Sequence, residues 1–303
     1  MEDLAGIGKS VNKVLDVIAK GTGVLYEPMK IRRLAEAEAY KIGLIAEAEE
    51  KKNKLEFETK LQQQLIVVKA KESLKERAEQ RQQHKELVKQ KNIENIFAMA
   101  ALSVSESVSD EPVDPDWLNH FIENAESVSS ETMQKLWAKV FAKEVENPGK
   151  FSLKSLSFLK SITKYEANAF ATLCQYASRS SDNEYVILSG GRNNGTFSGF
   201  FGDFDMSLFP SKSKLELTQW MMLQKLGLVH ENDLFYTSLS KGDVLTFNDY
   251  KLTVLKNKHS PLFYCFTPLG NELAQLVDSK LDKEYFNLIK AKFKSMYSLE
   301  YFN

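Results

Sequence analysis

Histidine and cysteine are scarce in this sequence, and long hydrophobic runs are missing. The chain has only four histidines, far apart in different segments: His84, His120, His230 and His259. None of them has the spacing to a cysteine or carboxylate that a metal site requires. The two cysteines, Cys174 and Cys265, lie in apolar surroundings, which favours buried reduced thiols over a disulfide framework. No stretch of about 18 apolar residues occurs, so we expect no ordinary transmembrane helix.

Net charge is also nearly absent. The formal net charge is −1, so bulk charge gives no reason to expect nucleic acid or an anionic membrane as a partner. The first residues are acidic at Glu2 and Asp3 and lack a continuous apolar stretch, which argues against a signal peptide. We therefore expect a cytoplasmic protein.

Motifs for catalysis are lacking as well. Gly6–Ser10 reads GIGKS, but Asp3 stands where a phosphate-binding loop needs its first glycine, and no strand can precede it. No Gly-x-Ser-x-Gly turn occurs. Asp203 and Asp205 form an acidic pair that could bind a cation, but we favour a solvated loop. We predict a non-enzyme, without cofactor or metal.

The most prominent feature that is present runs from Pro28 to Met99. It is rich in Ala, Glu, Lys, Gln and Leu and contains a single glycine, Gly43, which predicts a helix on the order of 100 Å long. Apolar residues such as Leu44, Leu55 and Ile66 repeat every eleven residues. This repeat favours a nearly straight coiled coil, and hence a homo-oligomer through residues 29–100, over a solvated single helix.

The N-terminal segment predicts an amphipathic helix. Its apolar residues lie three, four or seven apart, on one helical stripe: Leu4, Ile7, Val11, Val14, Ile18 and Leu25. The stripe could pack on the protein itself or on another copy. It could also lie on a membrane, which would make the protein peripheral to the inner membrane.

Proline and serine mark a boundary after the arm. Residues 103–116 are rich in Ser, Asp and Glu with two prolines, which predicts a linker. The chain is then divided into five segments, described as an amphipathic segment, a helical arm, a linker, a central helical domain and a C-terminal domain: 1–27, 28–102, 103–116, 117–180 and 181–303.

The central domain is predicted to be helical. We expect four helices, at 116–125, 130–146, 152–162 and 164–178. Asp114 followed by Pro115 begins the first, and Thr163 with Glu166 forms a capping box at the last.

This domain carries a recognisable signature. Its residues form a Gln-x-x-Trp-Ala helix, a Glu-x-x-x-Pro-Gly-x-Phe-Ser turn, Leu-x-x-Leu and Glu-Ala-x-x-Phe: Gln134, Trp137, Ala138, Glu144, Pro148, Gly149, Phe151, Ser152, Leu156, Leu159, Glu166, Ala167 and Phe170. The pattern resembles a bacterial family of unknown function and, more distantly, the abortive-infection alpha family of phage-defence proteins. The resemblance covers residues 20–35 and 125–175. It implies phage defence and an unknown protein partner or phage trigger, but no chemistry.

The C-terminal part is predicted to mix helices and strands. A strand at 184–188 precedes a Gly- and Phe-rich stretch, which is either a hairpin or a partner-binding loop. An amphipathic helix ending at Gly227, strands at 234–239, 244–247 and 251–255, and a helix at 282–298 follow. This order resembles a winged helix, through these residues: Leu223, Leu226, Gly227, Leu228, Val229, Thr267, Gly270 and Leu273.

A winged helix admits two partners. The nucleic-acid hypothesis rests on four basic residues: Arg192, Lys212, Lys214 and Lys225. Many apolar residues in the same helix favour a protein partner instead. The predicted fold class is therefore mainly α, with a long helical or coiled-coil arm, a central helical domain and a winged-helix-like α+β domain at the C-terminus.

Overall fold

The computed structural model describes residues 3–23, 74–105, 108–193, 209, 213–231, 241–247, 250–254, 259–293 and 297–301. Several predicted features lie outside these ranges: residues 28–73 of the arm, the strand at 234–239, and the Gly- and Phe-rich stretch after Asn193 except Phe209. The chain divides into two compact units, residues 1–160 and 161–303.

The predicted linker, residues 103–116, connects two helices within the first unit. Val113 is buried there, and the amide of Ser109 donates to the carbonyl of Glu146 at 3.0 Å. These contacts anchor the segment to the first unit.

The first unit is helical. Its helices are α1 (Asp3–Thr22), α2 (Leu74–Ser103), α3 (Pro115–Ala125), α4 (Glu131–Glu146) and α5 (Leu153–Ser161), the last of which ends at the boundary. The bounds of α3, α4 and α5 agree with the predicted helices to within a residue. Asp114 begins α3 as predicted, because its Oδ1 accepts a hydrogen bond from the amide of Trp117 at 2.8 Å.

An aromatic cluster forms the core of this unit. The Phe121 ring lies 5.0 Å from Phe141 and 5.3 Å from Trp137, and Phe97 of α2 lies 5.0 Å from Phe141. All four side chains are essentially inaccessible to solvent. Burying each contributes on the order of 2–3 kcal/mol, so the cluster holds α2, α3 and α4 together.

The second unit combines helices with an antiparallel sheet. Its elements are α6 (Lys164–Cys174), β1 (Ser178–Arg179), β2 (Tyr185–Asn193), α7 (Leu217–Lys225), β3 (Val244–Phe247), β4 (Tyr250–Val254), β5 (His259–Cys265), α8 (Pro268–Ala274), α9 (Lys283–Phe293) and β6 (Tyr297–Tyr301). The described strands are ordered β5-β2-β1-β3-β4-β6. A mainly helical chain with a small C-terminal antiparallel sheet is therefore confirmed.

Two predicted helices end earlier than expected. The helix predicted at 164–178 ends at Cys174, and Ser178–Arg179 join the sheet as β1. The helix predicted at 282–298 ends at Phe293, and Tyr297–Tyr301 pair with β4. Both changes have one cause: a neighbouring strand supplies backbone partners, and these outweigh helix propensity at the ends.

Gly227 and Gly270 lie where the end of α7 meets the start of α8 in the second unit. Gly227 ends α7 with φ +70°, a conformation that favours glycine. Thr267 begins α8, and its Oγ1 accepts a hydrogen bond from the amide of Gly270 at 3.1 Å. The amide of Thr267 donates to the carbonyl of Leu228 at 3.1 Å. These contacts bring the start of α8 directly against the end of α7.

Candidate functional site

The N-terminal stripe is partly covered by the first unit. Val14 and Ile18 have no exposed surface, and Val11 is half-buried. Gly21 lies against α3, because a Cβ placed there would be 2.5 Å from the side chain of Leu118. Leu4 and Ile7 belong to α1, but their side chains, like the whole of Leu25, are outside what the structure describes. The C-terminal half of α1 therefore packs on the protein itself.

The helix α2 has two different halves. From Leu74 to Lys91 nearly every side chain is exposed, including Leu87 at 71%. From Asn92 to Ala101 most side chains are buried. One helix thus supplies both a core element of the first unit and an uncovered extension that carries apolar side chains.

The first part of the family-like signature forms buried hydrogen bonds. Gln134 Nε2 donates to the carbonyl of Val128 at 2.8 Å and to Asn92 Oδ1 at 3.1 Å. Asn92 Nδ2 in turn donates to the carbonyl of Glu126 at 3.0 Å. Among the residues that the structure describes, the buried Nε1 of Trp137 has no hydrogen-bond partner. The hydrogen bonds of Gln134 and Asn92 fix α2 to the turn between α3 and α4.

The second part of the signature centres on a buried carboxylate. Glu144 has no exposed surface, and its two oxygens accept from the amides of Gly149 at 2.6 Å and Phe151 at 2.9 Å. The carbonyl of Phe151 accepts from Trp117 Nε1 at 2.7 Å. Glu144 therefore organises the Pro-Gly turn, and the signature residues act in folding.

A cleft of about 540 Å³ opens in the second unit between β1, β2, β3 and the segment after α8. Its wall contains apolar, polar and charged side chains: Cys174, Ala177, Arg179, Tyr185, Thr246, Ala274, Val277, Asp278, Ser279 and Lys280. The volume suits a small molecule. Sequence reasoning missed this site, because its residues come from four separate segments.

Arg179 is held in a defined position at this cleft. Its Nη1 donates to Asn183 Oδ1 at 3.0 Å, and its Nη2 donates to the hydroxyl of Tyr185 at 3.0 Å. The guanidinium also lies 4.9 Å from the centre of the Tyr185 ring. Asn183 adopts φ 64° in the turn between β1 and β2, so the hairpin itself orients the arginine. In the sequence, the one sign of this oriented arginine is that it stands next to a Ser-Asp-Asn turn.

The thiol in this cleft, that of Cys174, is buried. Burial raises the pKa of Cys174 far above its ordinary value, so the reactive thiolate is not populated near neutral pH. Burial, assisted by the negative charge of Glu184, raises the pKa of Cys265 to about 11. The buried free thiols agree with the predicted reduced state.

The face of α7 that would read DNA in a winged helix is largely apolar. Leu217 is 68% exposed and Met221, one helical turn later, is 49% exposed. Lys225 is exposed on the next turn, and Gln224 Nε2 donates to the carbonyl of Glu231 at 2.9 Å. The exposed face therefore offers two apolar side chains, one cation and few groups that read base edges.

Of the four predicted nucleic-acid residues, the structure describes the side chains of Lys214 and Lys225. Lys214 Nζ is bonded to Asp282 Oδ2 at 2.7 Å. Arg192 lies in β2, at the register position opposite Ser260. Lys212 lies outside the described residues. Lys225 is an exposed cation at the end of α7.

The bond between Lys214 and Asp282 also affects proton binding. Burial alone would raise the pKa of Asp282, but hydrogen bonds from Lys214 Nζ and from the Tyr285 amide lower it below its ordinary value. The hydrogen bond to Asp282 and the negative charge of Asp282 raise the pKa of Lys214. Asp282 Oδ1 accepts from that amide at 2.9 Å, so it also begins α9.

The described part of the chain lacks a metal-ligand cluster and a membrane-spanning helix. No group of three or more His, Cys, Asp or Glu there could hold a metal ion. No helix there combines the length and the apolar character needed to cross a bilayer.

Comparison with known proteins identifies the family. The profile of the protein family of unknown function DUF2806 matches residues 76–290, which is most of the chain. The chain therefore belongs to the DUF2806 family. Comparisons with curated proteins and with solved structures give no match. The matched region begins in the exposed half of α2 and includes most of the second unit.

Proposed function

We propose that this protein is a non-enzymatic bacterial interaction protein that binds a protein partner through its second unit and serves in phage defence by abortive infection. The defence role rests on the resemblance of the central signature to abortive-infection alpha proteins. The observation that carries the interaction role is the exposed pair Leu217 and Met221 on α7. Exposed apolar side chains one turn apart favour a protein surface over a phosphate backbone.

The same proposal includes a homo-oligomer joined by a coiled coil. It is supported by the uncovered half of α2, where Leu74 and Leu87 are 77% and 71% exposed. A second copy of the arm would cover Leu87, and covering Leu74, which lies about 140° away around the helix, would take a further copy. Light scattering tests this part: Leu74→Lys with Leu87→Lys should reduce the oligomer, whereas Lys75→Glu with Lys85→Glu should not. A wild-type monomer at micromolar concentration would contradict it.

The partner is tested by cross-linking and mass spectrometry in infected and uninfected cells. Leu217→Ser with Met221→Ser should abolish the recovered partner and the protection against phage. The matched control is Leu102→Ser, which changes an exposed leucine of the first unit. Retained partner and protection in the α7 variant would contradict the proposed surface.

A winged-helix regulator that binds DNA is the second candidate. It is supported by the exposed Lys225 and by the order of α7, β3, β4 and β5. It predicts salt-dependent binding to duplex DNA that is lost when Lys212, Lys214 and Lys225 are changed to Glu. Binding that depends on these lysines would favour this candidate over the protein surface.

Action at the inner membrane would involve α1. Because Val14 and Ile18 are covered by the first unit, α1 would have to leave that unit to reach lipid. Flotation with anionic liposomes should then require residues 1–27, when the full chain is compared with a chain that begins at Pro28. Equal, negligible flotation of both would remove the membrane role and leave α1 as a packing helix.

A further inference from the structure

Arg179 is a fixed cation at this cleft, and its described hydrogen-bond partners are neutral. Among the residues that the structure describes, no carboxylate lies within ion-pair distance of its guanidinium; its bonds go to neutral oxygens of Asn183 and Tyr185. These neutral partners orient the charge but do not neutralise it. A guanidinium has five N–H donors, and these bonds leave donors free for another acceptor.

The remaining lining suits an anion with an apolar body. Lys280 adds a second cation against one carboxylate, Asp278, so the charged side chains of the cleft carry an excess of positive charge. Ala177, Ala274 and Val277 supply an apolar wall. Thr246 adds a hydroxyl, and the raised pKa of Cys174 keeps its thiol neutral.

Arg179 does not form a stabilising ion pair with another described residue of the fold. A structural arginine of that kind would meet a carboxylate, as Lys214 meets Asp282 in the same unit. Here the hairpin instead directs two of the nitrogens to neutral acceptors, and the residue lines an open cleft. Such an arrangement is preorganised for an external oxyanion, which guanidinium groups bind through paired hydrogen bonds.

We propose that this cleft binds a small ligand with a carboxylate or phosphate group, held by Arg179, and with an apolar part that contacts Ala177 and Val277. This goes beyond the proposed interaction function and does not depend on it. Binding would make the second unit responsive to a small anionic molecule.

Thermal unfolding of the full chain tests the site with defined probes. Phenyl phosphate and benzoate carry the two oxyanions on one apolar ring, inorganic phosphate lacks the ring, and benzyl alcohol lacks the charge. At about 10 mM, enough to occupy a millimolar site, we expect at least one ring-bearing anion to raise Tm above sodium chloride at equal ionic strength. Benzyl alcohol should give no rise. Binding of only one of the two ring anions identifies the oxyanion that the site accepts.

Variants then assign the binding to Arg179. Calorimetric titration should show about tenfold weaker binding for Arg179→Gln and unchanged binding for Lys225→Gln, which removes a cation elsewhere in the unit. If Arg179→Gln does not fold, Ala177→Leu replaces it and should block the cleft. No Tm rise with either ring anion would overturn the proposal, as would undiminished binding in the folded cleft variant.

Discussion

A methyl group added to Gly270 would lie 1.9 Å from the carbonyl oxygen of Leu228. The same oxygen accepts a hydrogen bond from the amide of Thr267 at 3.1 Å, so it cannot move away without losing that bond. The Phe266 ring lies 3.2 Å from the same methyl position. The contact between α7 and α8 therefore depends on the absence of a side chain at this position.

Gly270→Ala should destabilise the second unit by more than about 3 kcal/mol, because backbone must shift to make room. Gly227→Ala is the matched control. Its φ of +70° costs about 1 kcal/mol in alanine, and nothing lies within 4 Å of the added methyl. Urea denaturation of both variants measures the difference. Equal losses of stability would contradict the close contact.

Glu144→Gln should lower the stability of the first unit by roughly 1–3 kcal/mol. The carboxylate accepts from the amides of Gly149 and Phe151, whereas a Gln side chain has one oxygen and leaves one buried amide facing an NH₂ group. Glu131→Gln is the control, because Glu131 pairs with Lys135 on the surface and both are about half exposed. Denaturation midpoints that coincide for the two variants would disagree with the buried cap.

Lys214→Met should make acid unfolding begin at a higher pH. The pKa of Asp282 is lowered in the fold, so its contribution is complete above its unfolded pKa, about 3.9, and is lost as pH falls through the folded value. Without Lys214, the side-chain hydrogen bond and the positive charge that lower the pKa of Asp282 are lost, so this pKa moves up. Stability measured across acidic pH tests this, with Lys225→Met as the control. An unchanged acid transition in Lys214→Met would contradict it.

Both thiols should react slowly with Ellman's reagent in the native protein at pH 8. Burial raises the pKa of Cys265 to about 11 and that of Cys174 higher still, so little thiolate is present, and both side chains are nearly inaccessible. In concentrated urea the same two thiols should react at the rate of a free cysteine. Rapid labelling of the folded chain would show that one of them is accessible.

Local sequence patterns predicted local structure well in this chain. The strand expected at 244–247 is β3 in full, and the capping box of Thr163 and Glu166 is present. These features depend on residues within a few positions of each other. The helix starts and stops in the first unit have the same origin, which is why their bounds agree with prediction.

Features that depend on distant residues were not predictable. The pairing of Val186 with Cys265 joins strands far apart in the sequence, and no residue pattern encodes that register. The cleft was missed for the same reason, because Arg179 and Lys280 come to line one cleft only after the sheet has formed. The stripe of α1 was recognised, but not that the first unit would bury Val14 and Ile18, since periodicity gives a face and not its neighbour.

The two halves of α2 have a consequence for local opening. Unwinding the turns before Asn92 would release few buried contacts, whereas unwinding past Phe97 would dismantle the aromatic cluster. Amide protons should therefore exchange quickly along the first half and far more slowly along the second, within one uninterrupted helix. Any partner that captures the exposed half would slow exchange there first and would leave the core half unchanged.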